Sequence, residues 1–234
     1  MRFLLLFDID GTLLSGATDA HRDAMYEALR TVHSVRPDRA RLASVSPAGR
    51  TDPEIARAIL LACGISAARI DERADEVREQ CCRAYARLCP QDLSAFVLPG
   101  VPELLTSLAG DENVVLGLVT GNYQPVARLK LARAGIGRYF AAGQGAFGSD
   151  ADDRLSLPPI ARRRAGTVRR PHPRERTIVI GDTPRDIACA HADDVRCFAV
   201  ATGPYRADAL GDADRVVANA GELSEALAAE LVSG

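Results

Sequence analysis

The chain has 234 residues, 47% of them hydrophobic, with 29 Lys and Arg against 31 Asp and Glu and a formal net charge of -2. That is enough for a sizeable core, as one large domain or one domain carrying a smaller insert, and the balanced charge gives no reason to expect a nucleic-acid or anionic-membrane partner. No stretch approaches the ~20 apolar residues of a membrane span, and the short apolar start meets Asp8 too soon for a secretory core, so a cytoplasmic protein is expected.

In chain order, Arg2–Ile9 (RFLLLFDI) is a nearly continuous apolar run, the pattern of a parallel strand buried on both faces. From about Thr18 to Ala95 no strand pattern follows. His21–His33, Pro53–Ala62 and Ala67–Leu88 have helical spacing instead, and Thr51-x-x-Glu54 with Pro53 in the first turn predicts a capping box. After Val97–Leu105, apolar runs at Val114–Gly121, Thr177–Asp182, Arg196–Thr202 and Arg215–Asn219 alternate with helical segments at Pro102–Leu108, Pro125–Ala134, Leu157–Ala165 and Pro184–Ala192. Such alternation predicts an α/β fold with a doubly wound parallel sheet, interrupted by a helical insert after the first strand.

Two compositional features read as ordinary. The six cysteines (Cys63, Cys81, Cys82, Cys89, Cys189, Cys197) form no Cys-x-x-Cys pair and are expected to be reduced, mostly buried thiols. The basic run Arg162–Arg176 lacks interleaved aromatics; Arg162–Arg164 are expected to close a helix C-terminus and the rest to form an exposed loop.

Three of these strands end in polar residues: Asp8-Ile9-Asp10-Gly11-Thr12, Thr120-Gly121-Asn122, and Gly181-Asp182-Thr183-Pro184-Arg185-Asp186. Open α/β sheets place ligands at strand C-termini, so four carboxylates and a hydroxyl are expected at one edge. Burying unpaired carboxylates costs several kcal/mol each, and oxygen ligands select a hard cation, magnesium above all. Singly, Gly181–Pro184 reads as a turn and helix cap, and Thr120–Asn122 is a weak signal. The Asp-x-Asp-Gly-Thr run at the end of an N-terminal strand is far more specific, and the three in this order more so.

With these motifs the chain resembles the haloacid dehalogenase superfamily, specifically its phosphoglycolate phosphatase-like branch with a helical cap. The resemblance implies a Rossmann-like core of residues 1–15 and 97–234, a cap domain of residues 16–96, and magnesium-dependent hydrolysis of a small phosphorylated metabolite by a monomer or homodimer. It implies Asp8 as nucleophile and Asp10 as acid and then base, its backbone carbonyl also binding the metal. It further implies Thr120 as a phosphoryl-oxygen donor, Asp182 as a direct metal ligand and Asp186 as a direct or water-mediated one. Backbone N–H groups after Asp8, at Gly11 and Thr12, would add anion contacts, with Gly11 permitting the sharp turn. The family's dehalogenases lack an acid at the position of Asp10, so its presence favours phosphoryl transfer.

One departure concerns charge. The family places a lysine upstream of the last acidic motif, and here Arg154 stands near that place. The rival is Lys130, the one lysine in the chain, which lies in an amphipathic helix where a solvent-facing position is the default. Arg154 is preferred. In the insert, Arg50 resembles a substrate-contacting position, its plain alternative being an exposed arginine before a helix. Asn122 and Gly121 either contact the substrate or shape the turn. The histidines at 21, 33, 172 and 191 lack metal-ligand spacing and receive no role. The alternatives are a phosphosugar mutase of the same fold and a non-catalytic binding homologue, the latter disfavoured by the four acids. A phosphonate hydrolase with a cap lysine is disfavoured because Thr18–Ala95 contains no lysine.

Overall fold

The computed structural model describes residues 2–36 and 45–233. Among these, six parallel strands form one sheet: β1 (Phe3–Phe7), β2 (Val114–Thr120), β3 (Ala146–Phe147), β4 (Thr177–Gly181), β5 (Arg196–Val200) and β6 (Arg215–Val217). Their order is β3-β2-β1-β4-β5-β6. All five residues of β1 are buried, as the continuous apolar run requires of a strand covered on both faces.

Successive side chains leave β1 on opposite faces and build two separate layers. Phe3, Leu5 and Phe7 join Leu116, Leu118, Ile178, Ile180 and Phe198 in one core. Leu4 and Leu6 join Val179, Cys197 and Ala199 in the other. Helices α5 (Val101–Ala109), α6 (Gln124–Arg133) and α9 (Ala220–Ser233) feed the first, and α7 (Leu157–Ala165) and α8 (Pro184–Ala192) feed the second. Each fully buried Leu or Phe contributes ~1.5–3 kcal/mol to this arrangement.

Between β1 and β2 the described residues hold helices α1 (Asp19–His33), α2 (Asp52–Ala62), α3 (Ala67–Glu72) and α4 (Ala74–Leu88); residues 37–44 of this interval lie outside the description. The buried stripe of α1, from His21 through Met25, Ala28 and Leu29 to Val32, follows helical periodicity and packs against α4. The predicted capping box is present: Glu54 N–H donates to Thr51 Oγ1 and Thr51 N–H to Glu54 Oε2. The chain leaves and re-enters the sheet layer side by side, Leu98 N–H donating to the Leu13 carbonyl and Ser15 N–H to that of Phe96.

The structure departs from the sequence reading at several places, the unpredicted helix α9 among them. Ala67–Leu88 is broken at Arg73, whose guanidinium turns to the Val32 carbonyl and to Glu76. The two-residue strand β3 pairs with Val119–Thr120. Arg162 does more than close a helix: it is buried and gives a two-pronged ion pair to Asp193, at 2.6 and 2.9 Å. The six cysteines are free, four of them buried.

Candidate active site

Because β1 lies between β2 and β4, the tips carrying Asp8, Thr120 and Asp182 stand next to one another where the sheet order reverses direction. Asp8, Asp182 and Asp186 are all buried, each with a carboxylate oxygen within 4.8 Å of the others'. The cation of this group is Arg154, at the start of the turn leading into α7. Its Nη2 reaches Asp8 Oδ1 at 3.1 Å and Asp186 Oδ1 at 2.5 Å. Arg154 therefore does point at the Asp8 carboxylate, as preferred from the sequence.

Three carboxyl groups crowd against one guanidinium in a buried space, so their ionised forms are mutually disfavoured. Burial pushes Asp8 up to about 6; Arg154 opposes this, and the Asp186 and Asp10 charges add to it. Asp182 is pushed up to about 8, by burial first and then by the charges of Asp8 and Asp186. Its Oδ1 accepts from Thr12 Oγ1 at 3.0 Å, while its Oδ2 is buried and has no hydrogen-bond partner. An orphaned carboxyl oxygen inside an all-oxygen cluster fits a hard divalent cation, which would be held by Asp8, Asp182 and Asp186 and would favour their ionised forms. Asp186 is the most committed of the three, since its Oδ2 also accepts from the N–H and the Oγ1 of Thr183.

The backbone around Asp182 is shaped for it. A Cβ on Gly203 would sit 1.7 Å from Asp182 Oδ2, and one on Gly11 (φ +92°) 2.2 Å from it. Thr202 Oγ1 fastens the Gly11 turn by donating to the Gly11 carbonyl at 2.6 Å. Gly11 and Thr12 thus serve the carboxylate. The anion contacts expected from their N–H groups are not available, because these donate within the turn, to the carbonyls of Leu14 and Ile9.

Asp10 occupies a separate arrangement, and here the structure corrects the reading of Lys130. That lysine is fully buried, not solvent-facing, and its Nζ lies 2.8 Å from both oxygens of Asp10. Asn122 completes the group, its Nδ2 donating to Asp10 Oδ2 at 3.0 Å and its Oδ1 accepting from Lys130 at 3.0 Å. Burial raises the Asp10 carboxyl, but Lys130 foremost, together with His21 and Asn122, brings it below its ordinary value. The Asp10 side chain remains 24% exposed.

The other predicted residues divide. Thr120 is fully buried, its Oγ1 accepting from the Asn122 N–H at 3.4 Å. Arg50 lines the site cavity and donates through Nε to the Ser46 carbonyl. Gly121 makes room for the insert, since a Cβ there would lie 2.1 Å from the Arg50 carbonyl oxygen. The cavity, about 750 Å³, is lined by Asp8, Asp10 and Asp182 and also by Met25, Ile55 and Ile59 of α1 and α2.

His21 was missed by the sequence reading. It lines this cavity, reaches Asp52 Oδ2 at 3.1 Å, and Asp52 Oδ2 in turn accepts from the Tyr123 N–H at 2.6 Å. A histidine at the first position of a predicted helix carries no local signal; the partner that reveals it is 31 residues away. No helix among the described residues is long and apolar enough to cross a membrane.

Among proteins of curated function, none matches the sequence. Solved structures do match. A hydrolase from Pseudomonas syringae is 23% identical, with 97% of this chain and 98% of that one covered and a TM-score of 0.67. A β-phosphoglucomutase from Clostridium difficile is 20% identical, over 100% and 98%, with a TM-score of 0.73. CbbY from Rhodobacter sphaeroides, solved with phosphate, is 21% identical over 95% and 96%, with a TM-score of 0.65. At these identities the likeness is one of fold. A family model described as haloacid dehalogenase-like hydrolase matches residues 5–191. This chain, with its Asp8–Asp10 strand end and buried acidic trio, belongs to the haloacid dehalogenase-like hydrolase family.

Proposed function

We propose that the protein is a magnesium-dependent phosphatase that hydrolyses a small phosphate monoester through a covalent intermediate on Asp8. The observation that carries this reading is the buried trio of Asp8, Asp182 and Asp186, with the Asp182 Oδ2 unpartnered. A magnesium ion held there would neutralise the repulsion between the carboxylates and an incoming phosphate.

The chain's own residues then act in order. Arg154 pairs with Asp8 Oδ1, which would leave Oδ2 to meet the substrate phosphorus. Asp8 attacks, an oxygen–phosphorus bond forms, and the bond to the leaving alcohol breaks. Asp10 delivers a proton to that leaving oxygen. In the free site Lys130 favours the Asp10 anion, and an arriving phosphate dianion shifts the balance towards the protonated form. Asp10 next takes a proton from water, whose oxygen attacks phosphorus and releases Asp8. Residues 16–96 serve as a cap: Met25, Arg50, Ile55 and Ile59 face the same cavity as the acids and would contact the leaving group.

The test is phosphate release from p-nitrophenyl phosphate and a panel of small metabolite esters, with and without magnesium. Magnesium-dependent release that Asp8→Asn abolishes without unfolding the protein is the expected result. Full activity in that variant overturns the mechanism. Running glucose 1-phosphate in the panel, and assaying for isomerised sugar, separates hydrolysis from mutase chemistry.

A further inference from the structure

We propose that Lys130 is a positioning residue for the proton-transferring acid: a buried ammonium that fixes the Asp10 carboxylate while Arg154 serves Asp8. The proposal rests on the phosphatase reading for its kinetic consequence, though not for the clamp itself.

The first argument is chemical fit. An ammonium has three N–H donors on one nitrogen and no acceptor. Lys130 Nζ has three acceptors at hydrogen-bonding distance: Asp10 Oδ1 and Oδ2, both at 2.8 Å, and Asn122 Oδ1 at 3.0 Å. Donors and acceptors match one to one. A guanidinium spreads five donors over a planar fork and would leave several unpaired in a space that is fully enclosed. In a chain whose other basic residues are all arginine, the single lysine stands where only a point cation fits.

The second argument is cost. Lysine is almost never fully buried unless paired, and an unpaired one is dehydrated at several kcal/mol. The face of α6 that carries it also buries Val126, Ala127 and Leu131, so an apolar side chain at 130 would complete that core without such a cost. The lysine is thus retained for what it holds. Lys130 is not among the residues lining the cavity, whereas Asp10 and Asn122 are, so it acts on the substrate through them. The Asn122 amide, giving Nδ2 to Asp10 and Oδ1 to Lys130, closes a ring of three side chains that leaves the carboxylate one orientation.

The experiment uses the single lysine as its own reporter. Protein labelled with 15N-lysine has one side-chain ammonium, and a Nζ resonance with slowly exchanging protons is expected in wild type. Asp10→Asn should shift that resonance and speed its exchange, because the substituted amide cannot accept through both positions. In parallel, Lys130→Met and Lys130→Gln are compared with p-nitrophenyl phosphate. A roughly 10–100-fold fall in kcat is expected, the usual cost of losing a supporting partner, with KM and the magnesium concentration giving half-maximal thermal stabilisation each within about 3-fold of wild type. Adding Lys130→Met to Asp10→Asn should slow the enzyme by less than about 2-fold more.

Any of these results would overturn the proposal: a freely exchanging Nζ in wild type, a Nζ resonance indifferent to Asp10→Asn, or lysine variants with unchanged kcat. An equal loss from Lys130→Met with and without the Asp10 carboxylate would also do so, as it indicates a structural role only. If Lys130→Met does not fold, the glutamine variant carries the kinetics, and if neither folds the resonance decides alone. A wild type that releases no phosphate refutes the phosphatase reading, while the resonance still tests the clamp.

Discussion

Replacing Arg154 by methionine removes the cation that lies between Asp8 and Asp186 while nearly conserving volume. One nitrogen, Nη2, makes both contacts, at 3.1 and 2.5 Å. At an effective dielectric constant of ~20 the two attractions amount to roughly 5 and 7 kcal/mol, most of which the dehydration of the guanidinium offsets. What remains on deletion is the penalty of leaving carboxylates buried without their partner, about 3–5 kcal/mol. For a domain of this size that is a fall of roughly 10 °C in Tm, read by differential scanning fluorimetry at pH 7.5 with chelator present. Magnesium should restore part of the loss, since a divalent cation screens the same charges. Arg154→Lys is the informative companion. A lysine Nζ can address both oxygens from one atom, but its tip falls about one bond, ~1.3 Å, short. It also removes the Arg154 Nε, a buried N–H without an acceptor. The lysine variant should therefore lose less than half as much stability as methionine. If Arg154→Met melts within about 2 °C of wild type in chelator, the trio does not hold the charge assigned to it.

Other outcomes follow from the same geometry. Magnesium at about 100 times its Kd should stabilise wild type by ~2.7 kcal/mol, and Asp182→Asn should lose most of that thermal shift. Gly203→Ala, whose new Cβ would meet the Asp182 carboxylate, should abolish magnesium-dependent activity, and retained activity would show that this carboxylate is free to move. Thr51→Ala removes the α2 cap and a hydrogen bond to the Asp152 carbonyl, so denaturant titration should show a loss of about 1–2 kcal/mol. His172 is held neutral by burial between the Arg2 carbonyl and Thr177 Oγ1, with its pKa lowered. A lowered histidine pKa means the unfolded chain binds the proton first, so wild-type stability should fall as pH drops below ~6.5. His172→Gln should flatten that limb in urea titrations between pH 7 and 5.

Much of the active site was legible because its signals are local. A continuous apolar run specifies a strand covered on both faces, and the acids directly after it are carried to the sheet edge by that strand. The Thr51–Glu54 box is likewise written within four residues. What was not legible depends on contacts between distant segments. Lys130 falls four and three residues after Val126 and Ala127, on the buried stripe of α6, but a lysine is ordinarily exposed, and only Asp10, 120 residues earlier, makes its burial tolerable. His21 and Asp52 are joined across 31 residues and then to the Tyr123 backbone, which no spacing rule encodes. Strand β3 is two residues long in a glycine-rich stretch, too short for period-two alternation to register. The Gly11–Thr12 turn was read correctly as a special backbone, but its donors proved to be consumed locally, which only coordinates reveal.

The burial of Lys130 has a consequence for handling the protein. Its folded surface offers no lysine amine to acylating reagents, so side-chain labelling at that residue requires the structure around α6 to open first. The rate at which an amine-reactive dye enters Lys130 would then be a clock for opening of the helix that carries it, readable by mass on a single peptide. Ligands that tighten the site should slow that clock, which gives a substrate screen that needs no turnover.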